Sequence, residues 1–118
     1  MFLILLVLQD VTKLDEVIAA WEQAGVKGIT ILRSLGMANA RKIGLREDIP
    51  IIPSLDDFLR QEDYSRTLFT VIDSEAMAER VIAATEEITG DLDEPDTGLL
   101  VMLPVLRARG LHRKPAAK

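Results

Sequence analysis

The chain has no cysteine and only one histidine, His112. That excludes disulfide frameworks, cysteine-rich zinc sites, iron–sulfur clusters and a cysteine nucleophile, and it rules out a multi-histidine metal site within one chain. The missing cysteines fit a cytoplasmic location, which is the expectation. Basic residues are the minority: 14 Lys and Arg against 19 Asp and Glu, a net charge of −5. DNA and RNA are therefore poor partners, because non-specific binding needs Lys and Arg to neutralise phosphates. There is no long hydrophobic run. The longest at the start, residues 2–8, is far shorter than the ~20 residues of a membrane helix. It has no basic residue before it and no small-residue cleavage site after it, so it reads as a buried strand rather than a signal peptide. Catalytic signatures are missing too: no G-x-S-x-G, Walker A, G-x-G-x-x-G or H-E-x-x-H is present. Asp56-Asp57 and Glu86-Glu87 are adjacent pairs, and adjacent residues do not share a helix face. The expectation is a protein that is not an enzyme.

What is present fits one domain. The chain has 118 residues, 48% of them hydrophobic, and 28% of them charged, which argues for a folded, soluble chain. Folding a chain of this size buries roughly two-thirds of its unfolded surface, enough for a core without staples. After the first strand, Leu14, Val17, Ile18 and Trp21 form a helical stripe. Thr12 is a candidate N-cap, with Asp15 three residues on, and Gly25 suits the left-handed position that ends the helix. Residues 26–35, β-branched and aliphatic, predict a second strand. The second half repeats the plan. Residues 67–72 read as a strand and Asp73 and Ser74 as caps. Met77, Val81, Ala84 and Ile88 form a stripe ended by Gly90, and residues 99–103 read as a strand stopped by Pro104. Two βαβ units merge most simply into an α+β ferredoxin-like sandwich: a four-stranded antiparallel sheet with both helices on one face.

The connector between the halves spans residues 36–66. Its first part, residues 36–48, is polar, carries Arg41, Lys42 and Arg46, and reads as an exposed loop. Pro50 and Pro53 bracket Ile51-Ile52, and Ser54 caps a predicted extra short helix through Leu55, Phe58 and Leu59. The domain is expected to cover residues 1–112, with 113–118 a flexible basic tail. Residues 2–8 and 99–103 are apolar at every position rather than alternating. One helix layer covers one face of a sheet, so the second apolar face predicts an oligomer.

Several local strings resemble the PII nitrogen-regulatory signal-transduction proteins. Lys13-Leu14-Asp15-Glu16-Val17 is similar to the family's K-L-D-E-V, and Gly25-Val26-Lys27-Gly28-Ile29-Thr30 to its G-V-x-G-M-T. Thr89-Gly90 follows the second helix, and Gly98 precedes Leu103-Pro104-Val105, similar to G-K-I-F-V-L-P-V. The resemblance spans both halves. It implies a homotrimer whose sheets line a central barrel, with clefts between subunits that sense adenine nucleotides, often with 2-oxoglutarate. It also implies a loop after strand two that docks on a regulated protein. Carried over residue by residue, the effector-binding positions are Gly36, Thr89, Gly90 and Gly98, with Arg107 and Arg109 the nearest substitutes for the basic residues after L-P-V. The chain also departs from the pattern. Ala38 stands where the family has the Gln of G-x-G-x-Q, and Leu99 where it has a phosphate-binding Lys. No counterpart of the modified loop tyrosine aligns. The family's basic, Gly-rich phosphate turn is here the acidic stretch 91–96.

Residues 86–96 hold six carboxylates and no base. They read as a solvated loop or as a cation site, since hard cations take several carboxylate oxygens. Residues 107–118 hold five Lys and Arg and no acid, which suits either phosphate contacts in a cleft or a frayed terminus. His112 reads as a surface residue, and Trp21 and Met77 as core. The leading expectation is a non-enzymatic PII-like regulator with no resident metal or assigned cofactor. The rivals are a dimeric amino-acid-binding regulatory domain, a trimeric divalent-cation protein, and a small cofactor-free α+β barrel enzyme.

Overall fold

The computed structural model describes residues 1–36 and 64–111. The connector loop beyond Gly36, the short helix expected from Ser54, His112 and the basic tail lie outside them.

The first strand, β1 (Phe2–Leu8), forms over the span its aliphatic run predicts. Its even-numbered residues Ile4, Leu6 and Leu8 are fully buried, and its odd-numbered residues are half-buried. The turn that follows is a 3-10 turn over Val11–Lys13 that leads into α1 (Leu14–Gln23). The cap differs from the sequence expectation. Asp10, not Thr12, is the acceptor: its carboxylate takes the Thr12 amide and hydroxyl, and α1 itself has no side-chain cap. A carboxylate is the stronger acceptor, so Thr12 donates backwards instead of capping forwards.

The end of α1 follows the glycine signal. Gly25 has φ +107°, its amide donates to the Glu22 carbonyl, and the Val26 amide donates to the Trp21 carbonyl. These are the two bonds of a Schellman motif, and they turn Val26 into the core, where it is 4% exposed. That turn shortens the next strand. β2 runs only over Thr30–Ser34 rather than from residue 26. Before it, the Gly28 carbonyl accepts from the Thr70 hydroxyl at 2.6 Å instead of joining the ladder.

β3 (Ser65–Ile72) begins two residues before the expected start, and α2 (Glu75–Thr89) is N-capped by Ser74, whose hydroxyl accepts the Met77 amide at 3.2 Å. Gly90 ends α2 at φ +78°, and β4 covers Gly98–Pro104. The sheet order is β2-β3-β1-β4 and every pair is antiparallel. The result is the predicted α+β ferredoxin-like sandwich.

Both helices cover one face. Ile4, Leu6, Leu8, Leu68 and Ile72 from the sheet meet Val17 and Trp21 of α1 and Ala78 and Val81 of α2. The core-facing stripe of α2 is rotated from the sequence expectation: Ala78, Val81, Thr85 and Thr89 are buried, while Met77, Ala84 and Ile88 are half-buried. Thr85 is tolerated in the core because its hydroxyl donates to the Val81 carbonyl at 2.6 Å and accepts the Trp21 indole N–H at 2.8 Å.

Among the described residues, no strand position on the opposite face carries a charged side chain. Cross-strand register puts Leu3, Leu5 and Val7 of β1 beside Thr67, Phe69 and Val71 of β3 and Leu99, Val101 and Leu103 of β4, with Thr30, Leu32 and Ser34 of β2 completing it. Leu99 is 57% and Leu32 51% exposed.

Candidate functional site

The sheet register divides the candidate residues between two ends of the molecule. Leu8 pairs with Gly98 on one side and Arg66 on the other, and Arg66 pairs with Arg33. This end also receives the C-terminus of α2, with Thr89 and Gly90, and the exit of β2 towards Gly36. Four expected positions, Gly36, Thr89, Gly90 and Gly98, thus lie at one end. Arg107 and Arg109 do not. They follow Pro104, which pairs with Phe2 at the other end of the sheet. A seven-residue strand separates the two groups, about 20 Å at ~3.4 Å per residue. Arg107 and Arg109 are exposed, so one small ligand reaches both groups only when a second copy brings its own arginines to the first copy's turn.

The turn from α2 to β4 is highly organised. The Leu92 amide donates to Glu86 Oε2 at 3.1 Å and the Asp93 amide to Asp91 Oδ1 at 2.9 Å. The Thr97 hydroxyl reaches the Leu92 and Glu94 carbonyls at 3.2 and 2.8 Å. Asp96 sits at φ 63°, a left-handed conformation that Asp tolerates better than most residues. Gly98 ends the turn at φ +144°, and a Cβ there would lie 2.3 Å from the Val7 carbonyl oxygen. Only glycine lets β4 approach β1 so closely at this point. Among the described residues no group of three His, Asp or Glu side chains is arranged to hold a metal.

One arrangement was invisible in the sequence. Arg33 and Arg66, 33 positions apart, face each other across β2 and β3 on the helix-covered side, at the base of the connector. The Arg33 guanidinium lies 4.0 Å from the Tyr64 ring centroid, and Arg66 Nη1 donates to the Ser65 carbonyl at 3.2 Å. Like charges directly opposite each other destabilise a sheet, and among the described strand residues the register sets Ile31, Leu68 and Leu8 beside them. Only strand pairing brings the two together, and no local sequence signal announces it. On the uncharged face, Ser34, Ser65 and Thr67 form a closed hydroxyl cluster, with the Thr67 hydroxyl donating to Ser34 Oγ at 2.8 Å.

Such a sheet, with both helices on one side and a long connector after β2, defines the ferredoxin-like class. Within that class the fold is PII-like. The solved structure of Arabidopsis thaliana PII bound to citrate matches over 88% of this chain and 76% of its own, with a TM-score of 0.58 and 17% identity. At that identity the likeness is one of fold. No protein-family model matches the chain, and no curated protein matches it. Among the described residues no helix is long and apolar enough to cross a membrane.

Proposed function

We propose that this chain is a non-enzymatic PII-like regulator of the cytoplasm that works as a homotrimer. Its single domain covers residues 1–112 and ends in a basic tail over 113–118. It binds a small effector in the clefts between copies and docks a regulated protein, in the manner of nitrogen regulators, through the loop after β2. The observation that carries this reading is the PII-like fold. The uncharged sheet face supports the assembly, since monomers rarely leave such a face in water. The effector cleft is lined from one copy by Gly36, Thr89, Gly90 and Gly98 and from the next by Arg107 and Arg109. The effector acts by binding one loop conformation more tightly than another, because equal affinity for both would shift nothing.

The test combines native mass spectrometry with thermal unfolding. The panel is ATP, ADP, AMP, cyclic AMP, adenosine and 2-oxoglutarate, each with and without magnesium. The expected mass is three times 13.1 kDa. A ligand at 100 times its Kd adds about 2.7 kcal/mol per site, enough to raise the midpoint by several degrees. A trimer with a reproducible shift supports the proposal. A monomer at micromolar concentration, or no shift with any member of the panel, rejects it.

A further inference from the structure

The PII resemblance assigns a nucleotide's phosphates to the turn between α2 and β4, and the residues of that turn do not fit them. We infer that this turn carries its own anions and repels others, so an effector of this protein turns no phosphate or carboxylate towards it. The inference rests on the effector cleft proposed above and specifies its chemistry.

Turns bind phosphate by pointing several free backbone N–H groups at it, helped by a cation. Here four of the turn's amides are engaged internally. The Gly90 amide donates to the Glu86 carbonyl at 2.9 Å, the Leu92 amide to Glu86 Oε2, the Asp93 amide to Asp91 Oδ1, and the Glu94 amide to the Asp91 carbonyl at 3.0 Å. Pro95 has no N–H. Two of the four acceptors are carboxylate oxygens, so Glu86 and Asp91 stand where an incoming anion's oxygens would go. Thr97 is held as well, by the Leu92 and Glu94 carbonyls.

Charge points the same way. Asp93, Glu94 and Asp96 are exposed on the turn and repel an approaching anion. No Lys or Arg occurs between Arg80 and Arg107. Arg107 of the same copy follows Pro104 at the far end of the sheet. In the proposed cleft the next copy's Arg107 and Arg109 are the cations against which an anionic group would seat, rather than on the turn. Arg66 is at the near end but two strands away from Gly98, about 10 Å at ~4.8 Å per strand. Leu99, at the position where the resemblance expects the phosphate-binding Lys, pairs with Val7 on the uncharged face. The turn therefore forms a wall of the cleft suited to uncharged or cationic groups, and any anionic group must seat elsewhere.

Amide NMR of the full chain tests this. Hydrogen exchange at Gly90, Leu92, Asp93 and Glu94 is expected to run slower than free-peptide rates by about tenfold or more. Titration with ATP and with inorganic tripolyphosphate, each to millimolar concentration, is expected to leave the amides of residues 90–98 unshifted. Replacing both acceptors, Glu86→Ala with Asp91→Ala, should raise exchange at Leu92 and Asp93. Saturable shifts in residues 90–98 of the wild type with either polyphosphate would overturn the inference while supporting an effector cleft. Free-peptide exchange in the wild type, or unchanged exchange in the double variant, would overturn it by showing that the carboxylates do not close the turn. A monomeric mass would instead reject the proposed regulator and leave these turn measurements standing.

Discussion

Gly98 carries one of the tightest constraints in the chain. With φ +144° and a Cβ position 2.3 Å from a backbone oxygen of β1, Gly98→Ala must push the two strands apart. The expected cost is about 3 kcal/mol in urea unfolding. Gly36→Ala is the matched control: nothing lies within 4 Å of its Cβ position and its φ is not positive, so stability should hold to within about 0.5 kcal/mol. Asp10 makes a separate prediction. Its hydrogen bonds from the Thr12 hydroxyl and then the Thr12 amide hold its carboxyl below the ordinary 3.8, with Lys13 adding slightly and burial opposing. A lowered folded value means the cap's contribution is complete above the unfolded pKa and disappears as pH falls through the folded one. Carboxyl-carbon NMR should show Asp10 titrating below 3.8 in the wild type and moving back towards it in Thr12→Val. An unchanged value in that variant would assign the shift elsewhere. The sequence signals a cap in this segment, but the cap is Asp10 rather than Thr12, because Thr12 is equally able to donate and to accept until its neighbours are positioned.

Elements were mostly legible from period and punctuation. β1 matches its aliphatic run, and Gly25 and Gly90 end their helices where left-handed residues are needed. The Ser74 side chain caps α2, so Ser74→Ala should lower stability by about 1 kcal/mol. The loss should appear first as faster exchange at the Met77 amide, which would lose its acceptor. A larger loss would mean that Ser74 does more than cap. The misplaced features of α2 and β2 share a cause. Periodicity treats Thr85 as polar, yet the Trp21 indole satisfies it from another helix, which turns the buried stripe towards Ala78 and Val81. Propensity favours a strand from Val26, yet the Schellman turn and the Thr70 hydroxyl hold residues 26–29 out of the ladder.

For the whole molecule, the outer sheet face is where the proposed assembly is tested. Leu32 and Leu103 are 51% and 49% exposed there, so a lysine at either position leaves the helix-side core untouched. Leu32→Lys and Leu103→Lys are each expected to convert the proposed trimer into folded monomers, with wild-type circular dichroism and one-third of the native mass. A folded variant that keeps the wild-type mass would place the subunit contact on another surface. The candidate ligand groups belong to this scale as well. Gly36, Thr89, Gly90 and Gly98 gather at one end of the sheet, and Arg107 and Arg109 at the other. Joining them takes a neighbouring copy.

The sequence alone determined the βαββαβ order, the antiparallel ferredoxin-like class, the glycine helix ends and the apolar character of both faces of β1 and β4. Each follows from local period, chirality or composition, which neighbouring residues in the chain already contain. It also carried the PII resemblance that the fold then matched. Tertiary structure decided the rest. Pairing across the sheet set Arg33 against Arg66 and separated Arg107 and Arg109 from the other candidate residues. Folding of the α2–β4 turn directed Glu86 and Asp91 at its own amides. These are contacts between groups whose directions exist only once the backbone is fixed, so a count of carboxylates in residues 86–96 could reveal the charge but not what the charges hold.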